Sequence, residues 1–135
     1  MKAVLCFALL LAVCSATYYP SWKLLQPSGM FQVTAVYAQS NPQVGQANII
    51  TVCGNALYDI QGVRSFVYQV GQENETWSIG NVPVTTQNIP NGNGYCFFYN
   101  YVVPSQAQAT KAYSIDLVLQ NPLTNVASVQ VDFHF

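Results

Sequence analysis

Residues typical of turns, chiefly Asn, Pro, Asp, Ser and Gly, recur along this chain at short intervals, and this spacing constrains the fold more than any other feature. The segments between the turns are rich in Val, Ile, Tyr, Phe and Thr, which favour β-strands. No stretch keeps a helical periodicity through its prolines and β-branched residues. The sequence therefore predicts an all-β protein of the immunoglobulin-like sandwich type. The predicted turns lie at positions 41–45, 59–62, 71–74, 91–94, 104–107 and 121–122.

Seven strands are expected between these turns, and several alternate apolar with polar residues, as half-buried strands do. The fifth strand carries aromatic residues in a row: Phe97, Tyr99 and Tyr101 share one face, while Cys96 and Phe98 share the other. We expect the first set to face the interior of a seven-stranded β-sandwich. The predicted strands span residues 30–38, 47–57, 63–70, 77–85, 95–103, 112–120 and 126–135.

The first sixteen residues have the composition of a cleavable signal peptide. Lys2 is followed by an apolar run at residues 4–13, and small residues then suit a cleavage site after Ala16. The run is shorter than the roughly 20 apolar residues that cross a bilayer. We therefore expect a signal peptide at residues 1–16 and a single domain at residues 17–135. The mature protein is expected to be secreted or held in the lumen of an endolysosomal compartment, with no integral membrane span.

Two of the four cysteines, Cys53 and Cys96, remain after removal of the leader, and an oxidising compartment favours their pairing. Residue parity turns both side chains to the outer face of neighbouring strands in an immunoglobulin-type sheet, so a cross-strand disulfide is expected there. The alternative is two unpaired thiols out of register. Asn74 begins the only glycosylation sequon and lies in a polar stretch suited to a surface loop, which predicts an attached glycan.

The residues that catalysis requires are sparse. The only histidine, His134, is penultimate and in an outward register, and the five carboxylates are scattered singly. No zinc, phosphate-loop or hydrolase motif occurs. We therefore predict no enzyme activity, no catalytic residues, no cofactor and no bound metal. Four basic residues and a net charge of −1 also argue against nucleic acid as a partner.

The order of several short motifs resembles the ML lipid-recognition family, which includes phosphatidylglycerol/phosphatidylinositol transfer proteins. The resemblance covers residues 29–135 and is that of a divergent member, because Ser128 stands where a family cysteine is expected. It implies an immunoglobulin-like sandwich whose sheets hold a single lipid, either a sterol, a fatty acid or a phospholipid. The motifs are FQVTAV at 31–36, NP and GQ within 41–46, GNAL at 54–57, VVP at 102–104 and AYSIDL at 112–117.

The resemblance implies that the inward-facing residues line a slot that binds the lipid. We also expect the protein to be a monomer. Tyrosines in the slot are expected to keep their hydroxyl groups at its mouth. The alternative is a secreted interaction module with a closed core, which binds a protein or a glycan through outward apolar residues such as Phe98 and Val102. The predicted lipid-binding residues are Phe31, Val33, Val52, Phe66, Tyr68, Phe97, Tyr99, Tyr101, Ile115, Leu117, Val129 and Val131.

Overall fold

The computed structural model of the protein describes residues 17–26, 29–41, 43–72, 75–77, 86–103, 105 and 113–133. For residues 66–70, 72, 75–77 and 101 it describes the backbone alone. The predicted signal peptide, the sequon asparagine Asn74 and His134 lie outside the described residues. Leader cleavage and glycosylation therefore stay predictions.

The described residues form β-strands and no helix, which confirms the all-β prediction. None of them belongs to a helix of the length and apolarity needed to cross a bilayer. All strand pairings are antiparallel. The strands are β1 (Ser21–Gln26), β2 (Phe31–Ala38), β3 (Ala47–Ala56), β4 (Ile60–Gln72), β5 (Glu75–Trp77), β6 (Gln87–Ile89), β7 (Gly92–Val102), β8 (Tyr113–Gln120) and β9 (Asn125–Phe133).

The strands form two sheets that pack as a sandwich. The smaller sheet has the order β2-β3-β7, and the larger has the order β1-β9-β8-β4-β5, with β6 paired to β4. This confirms the expected sandwich and the predicted neighbours, since the second and fifth predicted strands correspond to β3 and β7. The predicted strand at 77–85 overlaps β5 only at Trp77, and residues 78–85 lie outside the described part of the chain.

Two short strands, β1 and β6, were not expected from the sequence. β1 pairs with β9, with Trp22 opposite Val131 and Lys23 opposite Gln130. Its residues do not alternate between buried and exposed positions. The reason is that β1 lies at the edge of the sheet, where even Leu24 stays exposed. Edge strands of this kind are defined by backbone pairing with a distant partner, so period-two patterning does not reveal them.

One hydrophobic core lies between the sheets. The rings of Phe31 and Phe97 meet edge to face with centroids 5.6 Å apart, a favourable aromatic geometry. Gly54 makes this packing possible, because a Cβ there would overlap both the Gln32 carbonyl oxygen and the Phe31 ring. A larger residue at this position would push the aromatic pair apart.

Tyr18 covers part of one end of the sandwich. Its backbone forms an antiparallel bridge with Ala38, through hydrogen bonds of 3.0 and 2.7 Å. Its ring stacks on Phe133 of the opposite sheet at a centroid distance of 5.9 Å. The segment before β1 thus ties the edge of the smaller sheet to the core side of the larger one.

Candidate functional site

The inner face of β7 supplies the aromatic side chains at the centre of the candidate site. Phe97 and Tyr99 are each only 3% exposed, whereas the intervening Phe98 is 69% exposed on the outer face. Phe97 lies opposite Val52 and Tyr99 lies opposite Ile50 in the β3–β7 ladder. The alternation predicted for this strand is therefore confirmed at the described side chains.

The structure brings nine of the twelve predicted lipid-binding residues together in the layer between the sheets, where all are buried. The side chains of the other three, Phe66, Tyr68 and Tyr101, lie outside the described part of the structure. The backbone of Phe66 pairs with Val118, and that of Tyr101 pairs with Asn48. Contact of these residues with a lipid stays a prediction. The nine residues are Phe31, Val33, Val52, Phe97, Tyr99, Ile115, Leu117, Val129 and Val131.

Tyr113 and Phe133 belong to the same layer but are absent from the predicted set. They face each other across the β8–β9 ladder, and both are fully buried. The period-two pattern already places Tyr113 with Ile115 and Phe133 with Val131, so it could have identified them. They extend the aromatic part of the layer toward the end covered by Tyr18.

Tyr99 links the two sheets through its hydroxyl group, contrary to the expectation that tyrosine hydroxyls lie at the mouth of the slot. The hydroxyl donates to the Val118 carbonyl oxygen of β8 at 3.4 Å. Burial raises the pKa of the Tyr99 phenol far above its ordinary value, because a phenolate there would lose its hydration. Burial likewise raises the pKa of Tyr113. Both pKa shifts arise from desolvation, as expected in a weakly polar layer that excludes water.

No charged side chain of the described residues lies in the layer between the sheets. Asp116 is buried, but it belongs to the opposite face of β8 from Ile115 and Leu117. The described residues also include no group of three or more His, Cys, Asp or Glu side chains that could hold a metal ion. The described side chains of the layer can therefore exclude water and contact an apolar group, and none of them forms an acid–base pair.

The expected disulfide joins Cys53 and Cys96, which lie directly opposite each other in the β3–β7 ladder. Their Cα atoms are 4.1 Å apart, and the cross-link spans 43 residues of sequence. Cys96 is exposed and Cys53 is half-buried, so the bridge lies on the outer face of the smaller sheet. This confirms the predicted pairing and its position away from the interior.

The described residues line clefts on the outer face of each sheet. One, of about 310 Å³, lies on the smaller sheet beside Tyr37, Ile49 and Phe98. The other, of about 460 Å³, lies on the larger sheet above Asp116 and Ser128. The first is lined by uncharged residues, whereas the second contains a carboxylate.

Comparison with known proteins identifies the fold. No protein-family model and no curated protein sequence matches this chain. Among solved structures, the chain is similar to a Niemann-Pick type C2 protein from the Japanese carpenter ant, with a TM-score of 0.55 and 7% sequence identity. The match covers 84% of this chain and 97% of the ant protein. The two share the immunoglobulin-like β-sandwich of ML-domain proteins.

Proposed function

We propose that this protein is a secreted, monomeric lipid-binding protein that holds one lipid between its two sheets and performs no catalysis. The observation that carries the proposal is the layer between the sheets. Apart from the buried amide of Asn48, its described side chains are apolar or aromatic, none is charged, and it contains the neutral phenols of Tyr99 and Tyr113. Such a layer favours an apolar ligand over any polar one.

The energetics of transfer from water support a lipid tail as the ligand. Each methylene group that leaves water contributes about 0.8 kcal/mol, so a chain of ten or more carbons needs no specific motif. We place the tail along β7, from Phe97 past Tyr99 toward Tyr101. Opposite it lie Ile115 and Leu117 of β8, which are bulky for a closed core facing a row of rings. On this proposal, the lipid tail inserts between these two bulky faces.

Two independent resemblances support the same proposal. The order of motifs in the sequence resembles ML lipid-recognition proteins, and the fold is similar to that of a Niemann-Pick type C2 protein. The ligand class proposed from the first is a sterol, a fatty acid or a phospholipid. The disulfide suits the oxidising compartment that a secreted or endolysosomal protein encounters.

The test is lipid uptake by the purified mature protein. Mass spectrometry of organic extracts should find one lipid per chain, and delipidated protein should take up fluorescent fatty acid or sterol at micromolar concentration. Phe97→Leu should weaken uptake because it alters the slot wall with little change in volume. Phe98→Leu is the matched control, since it changes the adjacent, exposed ring. A wild-type protein that takes up no fatty acid, sterol or phospholipid would contradict the proposal.

A second candidate function is an interaction module with a closed core. It is favoured by the outer face of the smaller sheet, where Phe98 is 69% and Val102 is 54% exposed. Apolar residues exposed together in this way are typical of sites that contact another molecule. This function would replace the first if the wild type bound no lipid and Phe98→Ser abolished binding to a partner.

A further inference from the structure

The outer face of the β2-β3-β7 sheet carries a row of three directly paired residues. Tyr37 of β2 lies opposite Thr51 of β3, and Thr51 lies opposite Phe98 of β7. Directly paired residues project to the same face of a sheet, so an aromatic side chain flanks Thr51 on either side. Neighbouring strands lie about 4.8 Å apart, so the backbones that carry the two rings are about 10 Å apart. The cleft of about 310 Å³ lies over this row.

Thr51 is the most deeply placed residue of the row. It is 5% exposed, whereas Tyr37 is half-buried and Phe98 is 69% exposed. Among the residues that the structure describes, none forms a hydrogen bond with the Thr51 hydroxyl group. A hydroxyl group with little access to water and no such partner gains from a ligand that can donate to it or accept from it.

The sheet that carries this cleft is uncharged. The sequences of β2, β3 and β7 contain no Asp, Glu, Lys, Arg or His at any position. The polar residues beside Thr51 in the cleft are Thr17, Tyr37 and Gln39, which add hydroxyl and amide groups. Cleavage at the predicted site would leave the α-amino group of Thr17 there as a further donor. The cleft is therefore suited to a ligand that combines hydroxyl groups with apolar surface.

Tyr19 extends the aromatic surface past β2. Its ring centroid lies 6.2 Å from that of Tyr37, the two rings are tilted by 54°, and Tyr19 is 73% exposed. Tyr19, Tyr37 and Phe98 thus place three rings in succession across the outer face. The face of an aromatic ring is electronegative and attracts the weakly positive C–H groups of a sugar. Such a succession of rings suits a chain of sugar residues better than a single one.

We propose that this cleft binds a soluble oligosaccharide. Tyr37 and Phe98 contact the C–H faces of the sugar rings, and Thr51 bonds to a sugar hydroxyl group between them. The volume of the cleft lies within the roughly 300–1,000 Å³ of small-molecule sites. A bilayer is a poorer occupant, because hydrocarbon over the cleft would leave the Thr51 hydroxyl group without a partner.

The test is binding of the mature protein to an array of neutral and acidic glycans, followed by titration with the free oligosaccharides that bind best. Phe98→Ala should weaken binding about tenfold or more, because it removes a ring that contacts the sugar. Thr51→Val should weaken it about two- to tenfold, since valine keeps the shape of threonine but lacks the hydroxyl group. Tyr58→Ala is the matched control, as it removes an exposed ring outside the cleft and should leave the affinity unchanged.

Circular dichroism and the melting temperature should show that Phe98→Ala folds as the wild type does, because its ring is exposed. Its lipid uptake should be unchanged, so this proposal and that of lipid binding fail or succeed separately. The proposal is overturned if no glycan binds at millimolar concentration, or if the affinity is unchanged in both Phe98→Ala and Thr51→Val. It is also overturned if the protein binds vesicles of pure phosphatidylcholine and Phe98→Ala abolishes that binding, since the face would then dock on membranes.

Discussion

The two faces of the β2-β3-β7 sheet differ sharply although they draw on similar residue types. Phe97, on the inner face, is 3% exposed and packs edge to face against Phe31, whereas Phe98 on the outer face is 69% exposed. The inner face stabilises the fold through close packing of apolar side chains and the exclusion of water. The outer face carries the Cys53–Cys96 bridge, which acts on the chain through a covalent constraint. Neighbouring residues of one strand therefore stabilise the protein by different physical means.

The largest expected contrast is between Phe97→Ala and Phe98→Ala. Truncating the buried ring removes apolar burial and leaves a cavity, so the free energy of unfolding should fall by about 3–5 kcal/mol. Truncating the exposed ring should change it by less than about 0.5 kcal/mol. Urea unfolding followed by tryptophan fluorescence measures both. Equal losses would show that the two faces are not distinct in packing.

The next effect is that of the disulfide on the outer face. Replacing Cys53 and Cys96 together with alanine should lower the free energy of unfolding by about 2–4 kcal/mol, because the bridge restricts the unfolded chain. Lipid uptake should persist under conditions where the variant stays folded. Thiol counting of the denatured, non-reduced wild type should find neither cysteine free. Loss of uptake by a folded variant would show that the outer face shapes the lipid slot.

A third effect is a loss of stability at alkaline pH, which tests whether water is excluded from the inner face. Burial raises the pKa of Tyr99 above its ordinary value of 10.0, so the unfolded state loses the phenolic proton first. The contribution of Tyr99 to the free energy of unfolding is therefore fully present below about pH 10, and it decreases as the pH rises further. Tyr99→Phe should reduce the slope of that loss by up to about 1.4 kcal/mol per pH unit.

The control variant is Tyr58→Phe, since Tyr58 is an exposed tyrosine of the loop after β3. At neutral pH it should change the free energy of unfolding by less than about 0.5 kcal/mol. At neutral pH, Tyr99→Phe should cost about 0.5–1.5 kcal/mol through loss of the hydrogen bond to Val118. An unchanged alkaline slope in Tyr99→Phe would mean that the phenol titrates as freely in the folded protein as in the unfolded chain.

The smallest expected effect is that of Ile49→Thr on the outer face. Ile49 borders the uncharged cleft beside Phe98, and threonine keeps the β-branched shape that strands favour. The melting temperature and lipid uptake should both stay close to those of the wild type. A large loss of stability would indicate that this face is covered in the folded protein.

Period-two patterning of apolar residues was sufficient to assign most of the inner face. It placed Phe97 and Tyr99 inward and turned Cys53 and Cys96 outward, because side chains of a strand alternate between its two faces. The same pattern missed β1, whose six residues are mostly exposed at a sheet edge. It could not foresee that the Tyr99 hydroxyl reaches Val118, since that contact depends on the distance between two sheets.

What the sequence by itself determined is local: the strand-forming segments other than β1 and β6, the turns between them, and the faces to which alternating side chains of those strands belong. The pairing of β3 with β7, and with it the Cys53–Cys96 bridge, was expected from the fold class. Only the tertiary structure decided the pairings that the sequence did not predict, which joined β1 to β9 and assembled the cleft around Asp116 from β1, β8 and β9. The physical reason is that alternation is a property of each strand alone, whereas pairing and packing depend on contacts between residues far apart in the chain.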